Sequence, residues 1–146
     1  MIAQTIQLAL APVFVLVAIG NIMNLLSTRL SRVVDRSRHL QERHVATEGP
    51  DHDMVVAEIR LLDRRISLIT RAIRLMVISG LSIGTTVAVL FLEEIAGLNL
   101  QLVAAGVFLV AVALLMWALV LFLRETQVAA AQLRIPRGFL ELERDL

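Results

Sequence analysis

Charged side chains are missing from three long stretches of the chain, residues 2–28, 75–92 and 95–123. A helix needs roughly 20 apolar residues to cross the hydrocarbon core of a bilayer. A helix that is apolar all round is either buried in a large core or in a membrane. Three such helices in a chain of 146 residues would leave too little polar chain to cover them in water. The pattern therefore predicts an all-α integral membrane protein with three transmembrane helices, at 1–28, 75–92 and 100–123.

In and beside the segment between the first two spans, residues 29–74, two series of mostly apolar residues have spacings that alternate between three and four. One series is Leu26, Leu30, Val33, Ser37, Leu40 and His44, and the other is Val55, Ile59, Leu62, Ile66, Ile69, Ile73 and Met76. This spacing is the heptad pattern of coiled coils. Gly49 and Pro50 interrupt the pattern, and Asp51 or Asp53 is suited to cap the helix that follows.

Folding the chain back at a turn near 47–53 brings the two series into register. Residues whose numbers sum to 99 then face each other, and each such facing pair forms one layer of the hairpin. In every layer a residue at heptad position a of one helix meets a residue at heptad position d of the other, as antiparallel packing requires. We therefore predict a cytoplasmic antiparallel coiled-coil hairpin that extends the first two spans. Its seam consists of Leu26, Leu30, Val33, Leu40, Ile59, Leu62, Ile66, Ile69 and Ile73. The layer at Ser37 and the layer at His44 are expected to be the weakest.

The distribution of arginine predicts the orientation of the spans. Arginines flank both ends of the 29–74 segment and Arg124 follows the third span, whereas the 93–99 loop carries Glu93 and Glu94 and no basic residue. Basic loops remain in the cytoplasm. We therefore expect the hairpin and a tail at 124–146 to be cytoplasmic and the N-terminus to be outside, in the inner (cytoplasmic) membrane of a bacterium. The chain start lacks the basic region of a signal peptide, so the first helix is expected to be retained.

All 14 basic residues are arginine. Six of them lie near the predicted membrane surface, and because no acidic residue occurs between Asp63 and Glu93, their charge is expected to be uncompensated. These six are Arg29, Arg32, Arg64, Arg65, Arg71 and Arg74, and we call them the arginine collar. We expect the collar to contact anionic lipid headgroups. Elsewhere in the hairpin acidic residues alternate with arginines and aromatic residues are missing, which indicates a solvated helix surface and no nucleic-acid partner.

Polar residues inside the first span allow two interpretations. Asn21, Asn24 and Thr28 share one helix face, which suits either hydrogen bonds between helices or the wall of a water-filled path. Glu93 and Glu94, at the opposite side of the membrane, either end a helix in water or form a carboxylate ring at the mouth of an oligomeric channel.

Small residues recur every four positions in the second span, at Gly80, Gly84 and Ala88. This spacing allows another helix to approach closely and predicts a helix-packing face. The partner helix can come from the same chain or from a second copy. Pro12 is expected to kink the first span.

The sequence offers no catalytic, cofactor or metal site. Cysteine is absent, the three histidines lie on different helix faces or in the turn, and no phosphate loop or catalytic motif is present. We therefore expect that the protein is not an enzyme and has no cofactor.

Two stretches, "NLLSTRLSRVVDRSRHL" and "LLDRRISLITRAIRLM", give the chain a resemblance to a bacterial family catalogued as domain of unknown function 2721. The likeness covers roughly residues 8–125. It implies a small bacterial inner-membrane protein and supplies no activity.

Two hypotheses for function follow from these patterns. The first is a noncatalytic membrane protein that forms a homo-oligomer, contacts membrane lipids and presents its hairpin to a cytoplasmic protein partner. The alternative is a small homo-oligomeric ion channel or transport accessory subunit.

Overall fold

A computed structural model describes residues 2–132 of the chain, and these residues form three helices. They are α1 (Ile2–Ala46), α2 (Pro50–Ala96) and α3 (Gln101–Gln132), and no strand occurs within this range. All three are long and apolar enough to cross a membrane. The predicted fold class, an all-α protein with three candidate spans, is confirmed.

The first two helices are much longer than a membrane requires. At about 1.5 Å per residue, α1 and α2 each extend for about 70 Å, against a hydrocarbon core about 30 Å thick. Both are therefore long enough to continue well beyond a bilayer, and their charged portions lie toward the turn that joins them, which we call the hairpin end. Of the tail predicted at 124–146, residues up to 132 continue α3 without a break, and the remainder lies outside the described residues.

The turn between α1 and α2 depends on Gly49. Its φ of 69° is in the left-handed region, which favours glycine, and its carbonyl oxygen accepts hydrogen bonds from the amides of His52 (3.1 Å) and Asp53 (3.3 Å). Pro50 opens α2, where its missing amide hydrogen costs nothing. The expectation that an aspartate caps α2 is wrong, because neither makes a side-chain cap bond and Gly49 is the N-cap. Asp51 and Asp53 contribute negative charge near the positive end of the helix instead.

The side chains of the predicted hairpin seam lie between α1 and α2. Five of them are buried and four are partly buried against the same hydrophobic cluster. The buried ones are Leu26, Val33, Leu40, Leu62 and Ile69, and the partly buried ones are Leu30, Ile59, Ile66 and Ile73. The cluster continues into the spans through Ile19, Met76 and Ile83. Supercoiling and the layer-by-layer pairing stay predictions.

Helix α3 packs against α2 through small residues spaced seven apart. On α2 these residues are Ala72, Ser79 and Thr86, and on α3 they are Ala104, Ala111 and Ala118; all six are buried. Ser79 Oγ donates a hydrogen bond of 2.7 Å to the carbonyl oxygen of Ala111, which fixes these two positions side by side. Small side chains let helix backbones approach closely, so this small-residue seam is the main contact surface of α3.

The predicted packing face at Gly80, Gly84 and Ala88 has a different environment at each position. A Cβ atom on Gly80 would lie 3.6 Å from Leu16 Cδ1, so α1 covers this glycine. Gly84 has open space around it and Ala88 is exposed. Gly80 therefore faces α1, whereas Gly84 and Ala88 lie on open surface in the part of the chain that the structure describes. Pro12 is buried inside α1, which continues as a helix on both sides of it.

Candidate functional site

One buried carboxylate connects the three helices at the hairpin end of the bundle. Glu125 of α3 is completely buried, and its Oε1 accepts a hydrogen bond of 2.9 Å from Nε of Arg65 in α2. Its Oε2 lies 3.1 Å from Nη2 of Arg29 in α1, in an ion pair whose angles do not make a hydrogen bond. The Arg29 guanidinium also lies 5.2 Å from the centre of the Phe122 ring. We call Arg29, Arg65 and Glu125 the charge cluster.

The position of Glu125 follows from the small-residue seam. It lies one heptad after Ala118, at the next place where α3 faces α2. In the antiparallel register set by Ser79 and Ala111, whose numbers sum to 190, the residue opposite Glu125 is Arg65. The end of the seam therefore places an ion pair where the preceding layers place small side chains.

The charge cluster corrects one premise of the arginine collar. The charge of these six arginines was expected to be uncompensated, but Arg29 and Arg65 share Glu125, a residue distant in sequence that α3 brings near them. The side chains of these two arginines are only 28% and 16% exposed. The other four members, Arg32, Arg64, Arg71 and Arg74, are exposed. Their contact with lipid headgroups stays a prediction.

A concave pocket of about 370 Å³ lies beside the charge cluster, between α1 and α2. Four of its lining residues are arginines: Arg29, Arg32, Arg36 and Arg65. Arg36 is held by Glu58 of α2, with both Nε and Nη2 at 2.9 Å from Oε1. We call this concavity the arginine pocket. Three of these arginines, Arg29, Arg32 and Arg65, belong to the predicted collar, but the cavity itself was not predicted, since it depends on how the two helices are placed.

The polar face predicted on the first span points away from the bundle. Asn21, Asn24 and Thr28 are all exposed, and the Thr28 hydroxyl donates to the Asn24 carbonyl oxygen of its own helix at 3.0 Å. The two asparagine side chains therefore lie on the outer surface of a single chain. Neither makes a hydrogen bond to α2 or α3 in the part of the chain that the structure describes.

The two glutamates at the other end of the bundle lie near the start of α1. Glu94 Oε2 accepts a hydrogen bond of 3.2 Å from the hydroxyl of the buried Thr5, and Glu93 is partly buried. Both line a small pocket of about 130 Å³ with Gln4 and Gln101. The Thr5–Glu94 hydrogen bond links α1 to α2 at this end, and Gln101 of α3 lies beside them. A carboxylate ring would require further copies of the chain.

No group of three or more potential metal ligands occurs within residues 2–132. The rings of His44 and His52 approach each other at the turn, with centroids 4.4 Å apart. Two histidines without a third ligand are too few for the usual zinc site.

Three apolar helices of spanning length, joined by a short turn and a short loop, define a multi-pass helical membrane protein. A family model described as Protein of unknown function (DUF2721) matches residues 9–135. The chain therefore belongs to this family, which confirms the resemblance found in the sequence. Searches of curated proteins and of solved structures found no match.

Proposed function

We propose that this protein is a noncatalytic membrane protein that self-associates in the bilayer and presents its α1–α2 hairpin to a cytoplasmic protein partner. The observation that carries the proposal is the exposed position of Asn21 and Asn24 on a predicted span. Asn24 precedes Arg29 by five residues, which places it about 8 Å deeper along the helix, and Asn21 lies about 12 Å deeper. At that depth a single chain would expose two amide side chains to lipid.

An amide group without a hydrogen-bond partner is unfavourable in hydrocarbon. A second copy of α1 supplies such a partner, because a two-fold axis places the same asparagine on both sides of the contact. The open space at Gly84 and the exposed Ala88 also suit a close helix contact between copies. Self-association through these surfaces accounts for polar and small residues that the fold of one chain leaves uncovered.

The form of the hairpin supports presentation to a partner. From Arg29 to Ala46 its first arm extends about 25 Å, and the charge cluster fixes its base to α3. Near the turn, Val45 and Met54 are 88% and 65% exposed. Large apolar side chains exposed together at the end of a rigid arm are suited to contact another protein. The clustering of arginines at this end supports a cytoplasmic location.

Disulfide crosslinking in native membranes tests self-association directly, because the chain has no cysteine of its own. Asn24→Cys should give a disulfide-linked dimer on mild oxidation. Val120→Cys is the matched control, since Val120 is exposed on α3 and precedes Glu125 by the same five residues that separate Asn24 from Arg29. Equal crosslinking at both positions, or none at either, would count against a specific contact through α1.

Site-specific photocrosslinking tests the presentation of the hairpin. A photoreactive residue at Val45 should give a discrete protein adduct in cells. The control position is Arg38, which is exposed on the same arm but further from the turn. Identical adducts at the two positions would indicate nonspecific collisions and argue against a partner at the tip.

An ion channel remains the second candidate, because a ring of several copies would turn the exposed Asn21, Asn24 and Thr28 face inward. The hydrophobic cluster between the helices consists of apolar side chains, so the described part of one chain offers no continuous polar path. If a ring of several copies forms such a path, purified protein in liposomes should conduct ions, and Asn24→Leu should reduce the ion flux. Absence of flux from a verified oligomer would eliminate this candidate.

A further inference from the structure

We infer that the arginine pocket is a binding site for a phosphate-bearing anion. Its volume of about 370 Å³ falls within the roughly 300–1,000 Å³ typical of ligand pockets. Arg29, Arg32, Arg36 and Arg65 line it together with apolar residues of α1 and α2. Guanidinium groups bind phosphate through paired N–H donors, and several of them around one cavity form a site for such an anion.

The local charge favours an anion even after the ion pairs are counted. Four guanidinium groups line the pocket, and two carboxylates, Glu58 and Glu125, contact three of them. A net charge of about +2 remains, enough to balance a phosphate ester. Arg32 is exposed and has no ion pair among the described residues.

The two carboxylates hold three of the guanidinium groups in place, and at Arg36 and Arg29 they leave N–H donors available. Each guanidinium has five N–H donors, and Glu58 binds Arg36 through a single oxygen atom. The contact between Arg29 and Glu125 Oε2 involves only Nη2 of the Arg29 guanidinium. Arginines already fixed by carboxylates lose less conformational freedom when a ligand binds.

The position of the pocket suits a ligand with a polar head near an apolar surface. Along α1 the lining extends from Leu25, in the uncharged stretch, to Arg36 in the charged hairpin, a distance of about 16 Å. Leu25 is 49% exposed, so apolar surface continues from the pocket toward the span. A phospholipid headgroup and a soluble phosphate compound share the chemistry that the arginines recognise.

Binding measurements on the purified full-length chain in a neutral detergent test the inference. The probes are phosphatidylglycerol, phosphatidylcholine and inorganic phosphate, added separately. Arg32→Gln removes a pocket arginine that lies outside the charge cluster. Arg71→Gln is the matched control, because Arg71 is an exposed collar arginine that does not line the pocket. Thermal unfolding of each variant checks that it is folded.

We expect phosphatidylglycerol to bind more tightly than phosphatidylcholine, and Arg32→Gln to weaken its binding about tenfold, the effect of losing a charge-assisted hydrogen bond. Arg71→Gln should leave the dissociation constant unchanged. Inorganic phosphate that binds with the same dependence on Arg32 would identify a soluble phosphate compound as the ligand, and its failure to bind would identify a lipid headgroup. Equal weakening of phosphatidylglycerol binding by both variants would overturn the inference, since it would indicate diffuse attraction to the collar. Unchanged binding in both variants would also overturn it, since Arg32 would then make no contact with the ligand.

Discussion

The buried charge cluster predicts that Glu125→Gln destabilises the protein strongly, although the substitution keeps the size of the side chain. The change leaves Arg29 and Arg65 without their counter-charge at positions where they are only 28% and 16% exposed. Removing one partner of a buried ion pair costs about 3–5 kcal/mol. Because both arginines retain some contact with solvent, we expect a loss of about 3 kcal/mol in the free energy of unfolding.

Reversible unfolding in detergent micelles, followed by circular dichroism, measures this change. Asp63→Asn is the matched control, because Asp63 is an exposed carboxylate in α2 and the substitution is equally conservative. Its effect should stay within about 0.5 kcal/mol. The double variant Arg65→Gln with Glu125→Gln should lose less stability than the sum of the two single variants, since the charges compensate each other.

Two results would refute this reasoning. One is a Glu125→Gln variant as stable as the Asp63→Asn control, which would mean that the carboxylate is not buried with its partners. The other is strict additivity in the double variant, which would mean that Arg65 and Glu125 do not interact. Each result would also weaken the account of the arginine pocket, because Glu125 positions two of its arginines.

Two further predictions concern helix packing and the turn, and the same unfolding measurement checks both. Ser79→Val removes the 2.7 Å hydrogen bond to Ala111 and enlarges a side chain in the small-residue seam, so it should lower the free energy of unfolding by about 1–3 kcal/mol. The control Thr85→Val, at an exposed position, should lower it by less than about 0.5 kcal/mol. Gly49→Ala places a Cβ on a residue with a φ of 69° and should lower the free energy of unfolding by about 1–2 kcal/mol. The control Gly20→Ala, at a helical position with open space around it, should leave that free energy unchanged or raise it. Equal effects within either pair would contradict the corresponding argument.

The three helices could be predicted because the signals for them are local. Uncharged stretches identify the spans, and Gly49 with Pro50 identifies the break between α1 and α2. The seam between these helices was also readable, since a heptad of large apolar residues contrasts with the charged residues around it. Leu26 and Ile69, for example, are predicted seam residues and both are completely buried.

The contact between α2 and α3 was not predicted, because α3 is apolar on all sides and no face stands out from the rest. The four-residue spacing predicted a packing face at Gly80 and Gly84, but α3 packs against Ser79 and its heptad neighbours. A signal was present in the alanines spaced seven apart at 104, 111 and 118. In a span surrounded by lipid, small residues in a heptad mark the packing face more reliably than hydrophobicity does.

The omission of the small-residue seam explains the omission of Glu125. The tail predicted at 124–146 includes Glu125, but the heptad of small residues on α3 continues to this residue and places it opposite Arg65. A buried carboxylate is stabilised in its charged form by basic partners, and Arg29 and Arg65 supply them here. The same contact that closes the α2–α3 seam therefore orients two sides of the arginine pocket. Glu125 therefore contributes both to the contact of α3 with α2 and to the shape of the arginine pocket, and Glu125→Gln should impair stability and anion binding together.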